Sequence, residues 1–353
     1  MYAIKSYVPL LLVKNRMIFV IIFITVIYTT ILYYFLTKSY TNQSRSINLS
    51  SIVESGLMKN SLVNLGHTSS STYSLDSECL PVTSNNSAHN RTKTFNLIFE
   101  AGLWQQEGSR SGPGSTLEGA YDWLRHLRTL FEYYSIRSIA DIPCGDTFWQ
   151  FSLREINTIE GLYFGGDIST SVIKQNEKLY GSIHQNKLFR YWDLVNCPIP
   201  TYTFKNSTHQ IETNHFDLVI VRDALQHMHI QNGLKAVRNV IMSGAKFFAL
   251  SSYAPNGRSS EKSTRSIGKN ESLPQTIPNC GSVDYCKLGQ IKDGGMYSNN
   301  INCYPFNFPL NKAILLQPSH YKFPIDTDEM HIYMIDDELK RIVAKYDTAC
   351  LEK

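Results

Sequence analysis

Four aspartates punctuate the middle of the chain, and each follows an apolar, strand-like run. Asp141 closes Ser-Ile-Ala-Asp and is followed by Pro143, Cys144, Gly145 and Asp146. Asp167 follows a glycine pair, Asp193 follows Tyr-Trp, and Asp223 lies in Arg-Asp-Ala-Leu-Gln-His, residues 222–227. Carboxyl ends of adjacent parallel strands converge on one crevice, and small molecules bind there. A single aspartate at such a place also serves as a helix cap or a turn residue. Four at successive strand ends point to one site. The first turn lacks the G-x-G-x-x-G of dinucleotide sites and the Gly-Lys-Ser/Thr of a phosphate loop. An acid-flanked turn without a phosphate cradle suits a cationic or neutral ligand carrying a ribose.

His227 is the candidate general base, because an imidazole with a pKa near 6.5 can take a proton at neutral pH. Asp223, four residues earlier, would orient the ring if the intervening turn is helical. A packing or helix-capping role for His227 stands beside that reading, and His229 is the neighbouring rival. Upstream, Ser-Arg-Ser-Gly-Pro-Gly-Ser (residues 109–115) sets a turn before a helix. It either presents Arg110 or backbone amides to a carboxylate, or leaves Arg110 solvated at a surface turn.

The elements that must hold these residues alternate along the chain. Helical spacing runs over 120–134 and 231–242, and strands are predicted at 137–144, 161–168, 188–194, 216–225 and 246–252. Two more are predicted at 313–317 and 330–335, with residues 336–344 left as a helix or the end of a hairpin. Strands separated by helices imply an α/β domain whose sheet is covered on both faces. Residues 256–300, rich in Ser, Gly, Asn and Lys, break the rhythm and are read as a long variable loop, either disordered or a lid. Tyr253, Tyr285, Tyr297 and Tyr304 lie near it and are candidates for stacking on sugar faces.

The chain has 353 residues, 42% hydrophobic and 18% charged, enough for one or two domains with a sizeable core. Its net charge of +4 is spread without long basic runs, which argues against nucleic acid as a partner. Residues 17–36 carry no charge. Such a run, about 20 residues long, spans a bilayer core of about 30 Å as a helix. Lys5, Lys14 and Arg16 precede it without an acid, which favours a cytoplasmic N-terminus. Asn42, Asn48, Asn85, Asn90, Asn206 and Asn270 each open an Asn-x-Ser/Thr triplet, as expected of a luminal surface. No pair among the seven cysteines has zinc spacing with histidines. In an oxidising lumen Cys280, Cys286, Cys303 and Cys350 would form disulfides of open connectivity, while Cys144 would pack as a small apolar residue.

The ordered motifs D-x-P-C-G-D, G-G-D-I-S, W-D-L and F-D-L-V-x-x-R-D-x-L-x-H resemble those of the class I S-adenosylmethionine-dependent methyltransferases, above all a glycan-related subgroup. The subgroup's Ser-Arg-Ser-Gly-Pro-Gly-Ser block and a late Pro-Phe-Asn-Phe-Pro block (305–309) are both present, so the likeness covers roughly residues 96–340. It implies a Rossmann-like, mostly parallel sheet of seven strands with helices on both faces, and S-adenosylmethionine as cofactor. Asp141, Pro143, Cys144, Gly145 and Asp146 would shape the methionine end, and Asp167 with Ile168 the ribose site. Asp193 with Leu194 would hold the adenine, and Arg222 and Asp223 would line the crevice near the transferred methyl. Pro-Cys stands where many methyltransferases have glycines.

The expected layout is therefore a tail (1–16), a signal anchor (17–36), a luminal stem (37–94) and a methyltransferase domain (95–353). That is a type II, single-pass arrangement in the Golgi membrane. The expected activity is O-methyl transfer to sugar hydroxyls of a glycan or glycoprotein. A luminal glycosyltransferase and a non-catalytic binding protein of the same fold are the alternatives. The former would usually show an Asp-x-Asp triplet, and the chain's one such triplet is Asp326-Thr327-Asp328.

Overall fold

A computed structural model describes residues 72–81, 87–181, 185–205, 211–253, 266–268, 280–318 and 328–351. The anchor predicted at 17–36, the tail and most of the stem lie outside the described residues. Among the described residues no helix is long and apolar enough to cross a membrane.

Ten strands are described: β1 (Thr72–Leu75), β2 (Ile139–Asp141), β3 (Tyr163–Asp167), β4 (Lys187–Tyr191) and β5 (Tyr202–Lys205), then β6 (Ile211–Asn214), β7 (Leu218–Val221), β8 (Phe247–Tyr253), β9 (Ala313–Pro318) and β10 (Asp328–Met334). Helices α1 (Ser87–Glu100), α2 (Tyr121–Tyr134), α3 (Thr170–Asn176), α4 (Ile230–Ile241) and α5 (Asp337–Val343) pack around them. Seven strands form one sheet in the order β4-β3-β2-β7-β8-β10-β9. All neighbours from β4 to β8 are parallel, and β10 runs antiparallel to both β8 and β9.

The alternation of side chains along a strand explains the two covered faces. Ala140, Phe164, Val219, Val221, Phe248 and Leu250 belong to one apolar cluster, which also takes Leu234, Val237 and Ile241 of α4 and Leu339 of α5. Their strand neighbours Ile139, Tyr163, Leu218, Ile220, Phe247 and Ala249 belong to the other, together with Trp123, Leu127 and Leu130 of α2 and Val172 of α3. Burying each such side chain contributes roughly 1.5–3 kcal/mol. A strand sandwiched this way reads as a continuous apolar run, as Leu218–Val221 does.

The seven predicted strands and both predicted helices are present, with ends shifted by a few residues. The folded unit starts earlier than the predicted boundary at residue 95. β1 joins β5 and β6 in a small antiparallel sheet, and α1 begins at Ser87. This stretch is polar and Ser/Thr-rich, so periodicity did not mark it. Its tie to the domain is covalent, through the disulfide Cys79–Cys197.

Two further disulfides, Cys280–Cys303 and Cys286–Cys350, pair the four cysteines expected to bond, and Cys144 is free and buried. Three disulfides are the pattern of a domain that matures in an oxidising compartment. They also correct the reading of the predicted loop. Within its described residues, 266–268 and 280–300, Ile267, Tyr285, Tyr297, Asn299 and Asn300 are buried. Tyr253 is buried too, so of the four tyrosines considered for sugar stacking only Tyr304 is exposed.

Candidate active site

Parallel register brings the motif residues to one edge of the sheet. Asp141, the last residue of β2, lies level with Gly165 on β3 and Ile220 on β7, and Asp167 ends β3 level with Tyr191 on β4. The crevice above these strand ends is lined by Asp141, Ile142, Pro143, Cys144, Gly145, Asp167, Ile168, Asp193, Leu194, Arg222, Asp223 and His227. Arg110 reaches it as well, as do Phe95, Phe99, Trp104, Trp149 and Trp192. Its walls are thus aromatic and its floor acidic.

Asp141 is fully buried. Its Oδ2 accepts hydrogen bonds from Gln150 Nε2 at 2.8 Å and from the Tyr163 hydroxyl at 2.7 Å. Its Oδ1 has no partner among the described residues. Burial pushes its carboxyl up to about 7. Asp167 accepts from the backbone N–H of Gly145 at 3.1 Å and of Ser169 at 2.8 Å, one on each oxygen. A carboxylate has about four acceptor positions, so both oxygens can take a further donor. Burial raises this carboxyl to about 6.

Asp146 serves the turn instead of facing the crevice. It accepts from the Ser109 hydroxyl at 2.9 Å and the Arg110 N–H at 2.7 Å, while its own N–H donates to Ser111 Oγ at 2.8 Å. The Ser109–Ser115 block is thereby locked onto the end of β2. The same block explains one of its glycines: a Cβ on Gly114 would collide with Asp223 Oδ2. The Arg110 guanidinium donates to the Glu100 carbonyl at 2.8 Å and lies over the Phe99 ring.

Asp193, read from sequence as the adenine acceptor, is engaged in a buried ion pair with Arg91 Nη2 at 2.7 Å. It also accepts from Asn196 Nδ2 and the Val195 N–H. Arg91 lies on α1 within the predicted stem, where no sequence signal distinguishes it. Arg222 is 6% exposed, between the rings of Trp123 and Trp149. Its Nη2 donates to the Gly119 carbonyl, while Nε and Nη1 have no partner among the described residues.

His227 sits in a 3-10 turn, Leu225–His227, and not in a helix. Its Nδ1 is held by a backbone carbonyl and not by Asp223, the partner that helical spacing suggested. Asp223 has φ 47°, and its carboxylate accepts from the Ser251 hydroxyl at 3.1 Å. His227 Nδ1 is 2.7 Å from the Gly295 carbonyl. A carbonyl only accepts, so Nδ1 carries the proton and Nε2 is left with its lone pair. Trp104 lies against the imidazole, 4.5 Å between centroids, with the rings tilted by 31°. Burial lowers the His227 pKa, opposed by the Gly295 carbonyl and by the charge of Asp223. The capping role weighed for His227 belongs to His229, whose Nδ1 accepts from the Gln231 N–H at the start of α4.

No family model matches the chain, and no curated protein matches it. Among solved structures it is similar to magnesium protoporphyrin IX methyltransferase (ChlM) from Synechocystis PCC 6803 with bound SAM. That match has 11% identity, covers 72% of this chain and 100% of that one, and has a TM-score of 0.43. The N-methyltransferase NodS from Bradyrhizobium japonicum WM9 in complex with S-adenosylhomocysteine gives 10% identity, 70% and 100% coverage and a TM-score of 0.41. PigF with SAH gives 12% identity and a TM-score of 0.38, over 61% of this chain and 55% of that one, so the chain spans about half of PigF. The fold assignment rests on the strand order, not on these distant likenesses. Five parallel strands, followed by a sixth at the edge and an antiparallel seventh inserted between fifth and sixth, make a Rossmann-like, mostly parallel sheet of seven. The chain has the fold of the class I S-adenosylmethionine-dependent methyltransferases.

Proposed function

We propose that the chain is an S-adenosylmethionine-dependent O-methyltransferase that modifies sugar hydroxyls of glycans in the secretory-pathway lumen, anchored by residues 17–36 in the Golgi membrane. The observation that carries the reading is the state of His227, which lines the crevice and whose protonated Nδ1 is committed to Gly295, leaving Nε2 its lone pair.

The crevice residues fit the cofactor. The unpartnered Arg222 nitrogens suit a carboxylate and Asp141 Oδ1 suits an ammonium, the two charges of an amino-acid end. Asp167 retains acceptor capacity for ribose hydroxyls. Asp193 holds its wall through Arg91, with Leu194 and Trp192 beside it. Bound S-adenosylmethionine supplies a methyl group on a positively charged sulfur, ready for direct displacement. His227 Nε2 would take the acceptor hydroxyl's proton as that methyl passes from sulfur to oxygen, with S-adenosylhomocysteine as the neutral leaving group, and the imidazolium would keep its Nδ1–H on Gly295. Asp223 adds negative charge near that imidazolium. The disulfides and the Asn-x-Ser/Thr triplets support a luminal setting.

The test is incubation of the protein with methyl-labelled S-adenosylmethionine and a mixed glycan panel, with products mapped by mass. Label on a sugar oxygen supports the proposal. Cofactor binding without transfer to any glycan would favour a different acceptor or a binding protein.

A further inference from the structure

The turn that carries His227 is held by a segment that two disulfides fasten. Gly289 O accepts from the Ile230 N–H at 2.8 Å, the Gly294 N–H donates to His227 O at 3.0 Å, and the Tyr297 N–H donates to Gln226 O at 3.1 Å. With the Gly295 carbonyl on Nδ1, these bonds tie residues 289–297 to both backbone and ring of the Gln226–His227 turn. Cys280 and Cys286 precede the segment and bond to Cys303 and Cys350 respectively. On its other side the segment meets α1. Gly294 has φ +85°, and a Cβ there would lie 3.0 Å from Thr94 Cγ2 and 3.1 Å from Ile98 Cδ1. Gly294, next to the carbonyl that sets the base, thus lies between α1 and the His227 turn.

We propose that this stapled segment is the positioning device of the base. Gly294 and the Cys280–Cys303 bond place the Gly295 carbonyl so that His227 is held with Nδ1 protonated and Nε2 free. Methyl transfer then depends on the oxidised staple, whereas cofactor binding, built on β2, β3 and β7, does not. The functional consequence rests on the reading of His227 as the base. The tautomer itself does not.

Two variants separate the ideas. Gly294→Ala adds a Cβ that crowds Thr94 and Ile98 of α1 and strains the positive φ. Cys280→Ser/Cys303→Ser opens the staple and keeps the proposal testable if Gly294→Ala does not fold. The full-length chain in detergent, labelled with ¹⁵N in its histidine rings, reports the tautomer directly, and loss of one signal in His227→Gln assigns it. The expected result is a pure Nδ1–H form of His227 in the parent and a mixture with the Nε2–H form in both variants. The same samples are titrated with S-adenosylhomocysteine, whose affinity is expected to stay unchanged. A pure Nδ1–H tautomer in either folded variant overturns the proposal. Failure of the parent to bind S-adenosylhomocysteine would instead overturn the methyltransferase reading, and the tautomer result would stand apart from it.

Discussion

Arg91 of α1 and Asp193 after β4 form a buried ion pair, Nη2 to Oδ2 at 2.7 Å, at the wall of the crevice. The pair joins a residue from the predicted stem to a strand end of the central sheet. Removing one partner of a buried pair leaves an uncompensated charge, at a cost of roughly 3–5 kcal/mol. Arg91→Met is therefore expected to destabilise the fold by about that amount, measured by urea denaturation. A loss within the range of an exposed pair, below about 1 kcal/mol, would mean that Asp193 is compensated by its other partners.

Asp141 gives the fold a pH dependence of predictable sign. Its carboxyl is pushed from 3.8 up to about 7, so between those values the native state holds a proton that the unfolded chain has released. Its stabilising contribution is complete below the unfolded value and is lost as pH rises through the folded one. Asp141→Asn removes this dependence. The variant amide can keep its oxygen on Gln150 and Tyr163 and place its nitrogen where Oδ1 has no partner. Denaturation at pH 4.5 and pH 8 should show Asp141→Asn gaining on the parent at the higher pH, by on the order of a few kcal/mol. An equal difference at both pH values would contradict the raised carboxyl.

His227 should act on turnover and not on cofactor affinity. His227→Ala is expected to lower methyl transfer by about 10²-fold or more while S-adenosylhomocysteine still binds. Because burial lowers its pKa below the ordinary 6.5, the acid limb of the parent's rate profile should fall below that pH. Unchanged turnover in His227→Ala would remove it from the mechanism.

The Cys79–Cys197 disulfide closes a separation of 118 residues, tying the β1 region to the loop after Asp193. Cys79→Ser/Cys197→Ser should cost about 2–4 kcal/mol, measured by denaturant midpoint. A change near zero would show that the small antiparallel sheet holds this region without the bond.

Much of the sheet was legible because strands buried on both faces are written as short apolar runs ending in turn residues. Leu218–Val221 and Phe247–Tyr253 are of this kind, and Asp141 and Asp167 mark where such runs stop. What escaped had no periodic mark. β5 and β6 are only four residues long and mix polar with apolar positions, and α1 begins within a Ser/Asn-rich stretch. Arg91 and Trp104 came into the crevice with them. The orientation of His227 was unreadable for another reason. Its partner is a backbone carbonyl 68 positions away, delivered by a disulfide-bonded segment, and no residue type encodes that.

The most direct test of the account is calorimetric titration of the folded protein with S-adenosylhomocysteine. One-to-one binding is expected, weakened about tenfold or more by Asp167→Asn through loss of a charged hydrogen-bond acceptor. A flat titration of the folded parent would contradict both the cofactor and the activity.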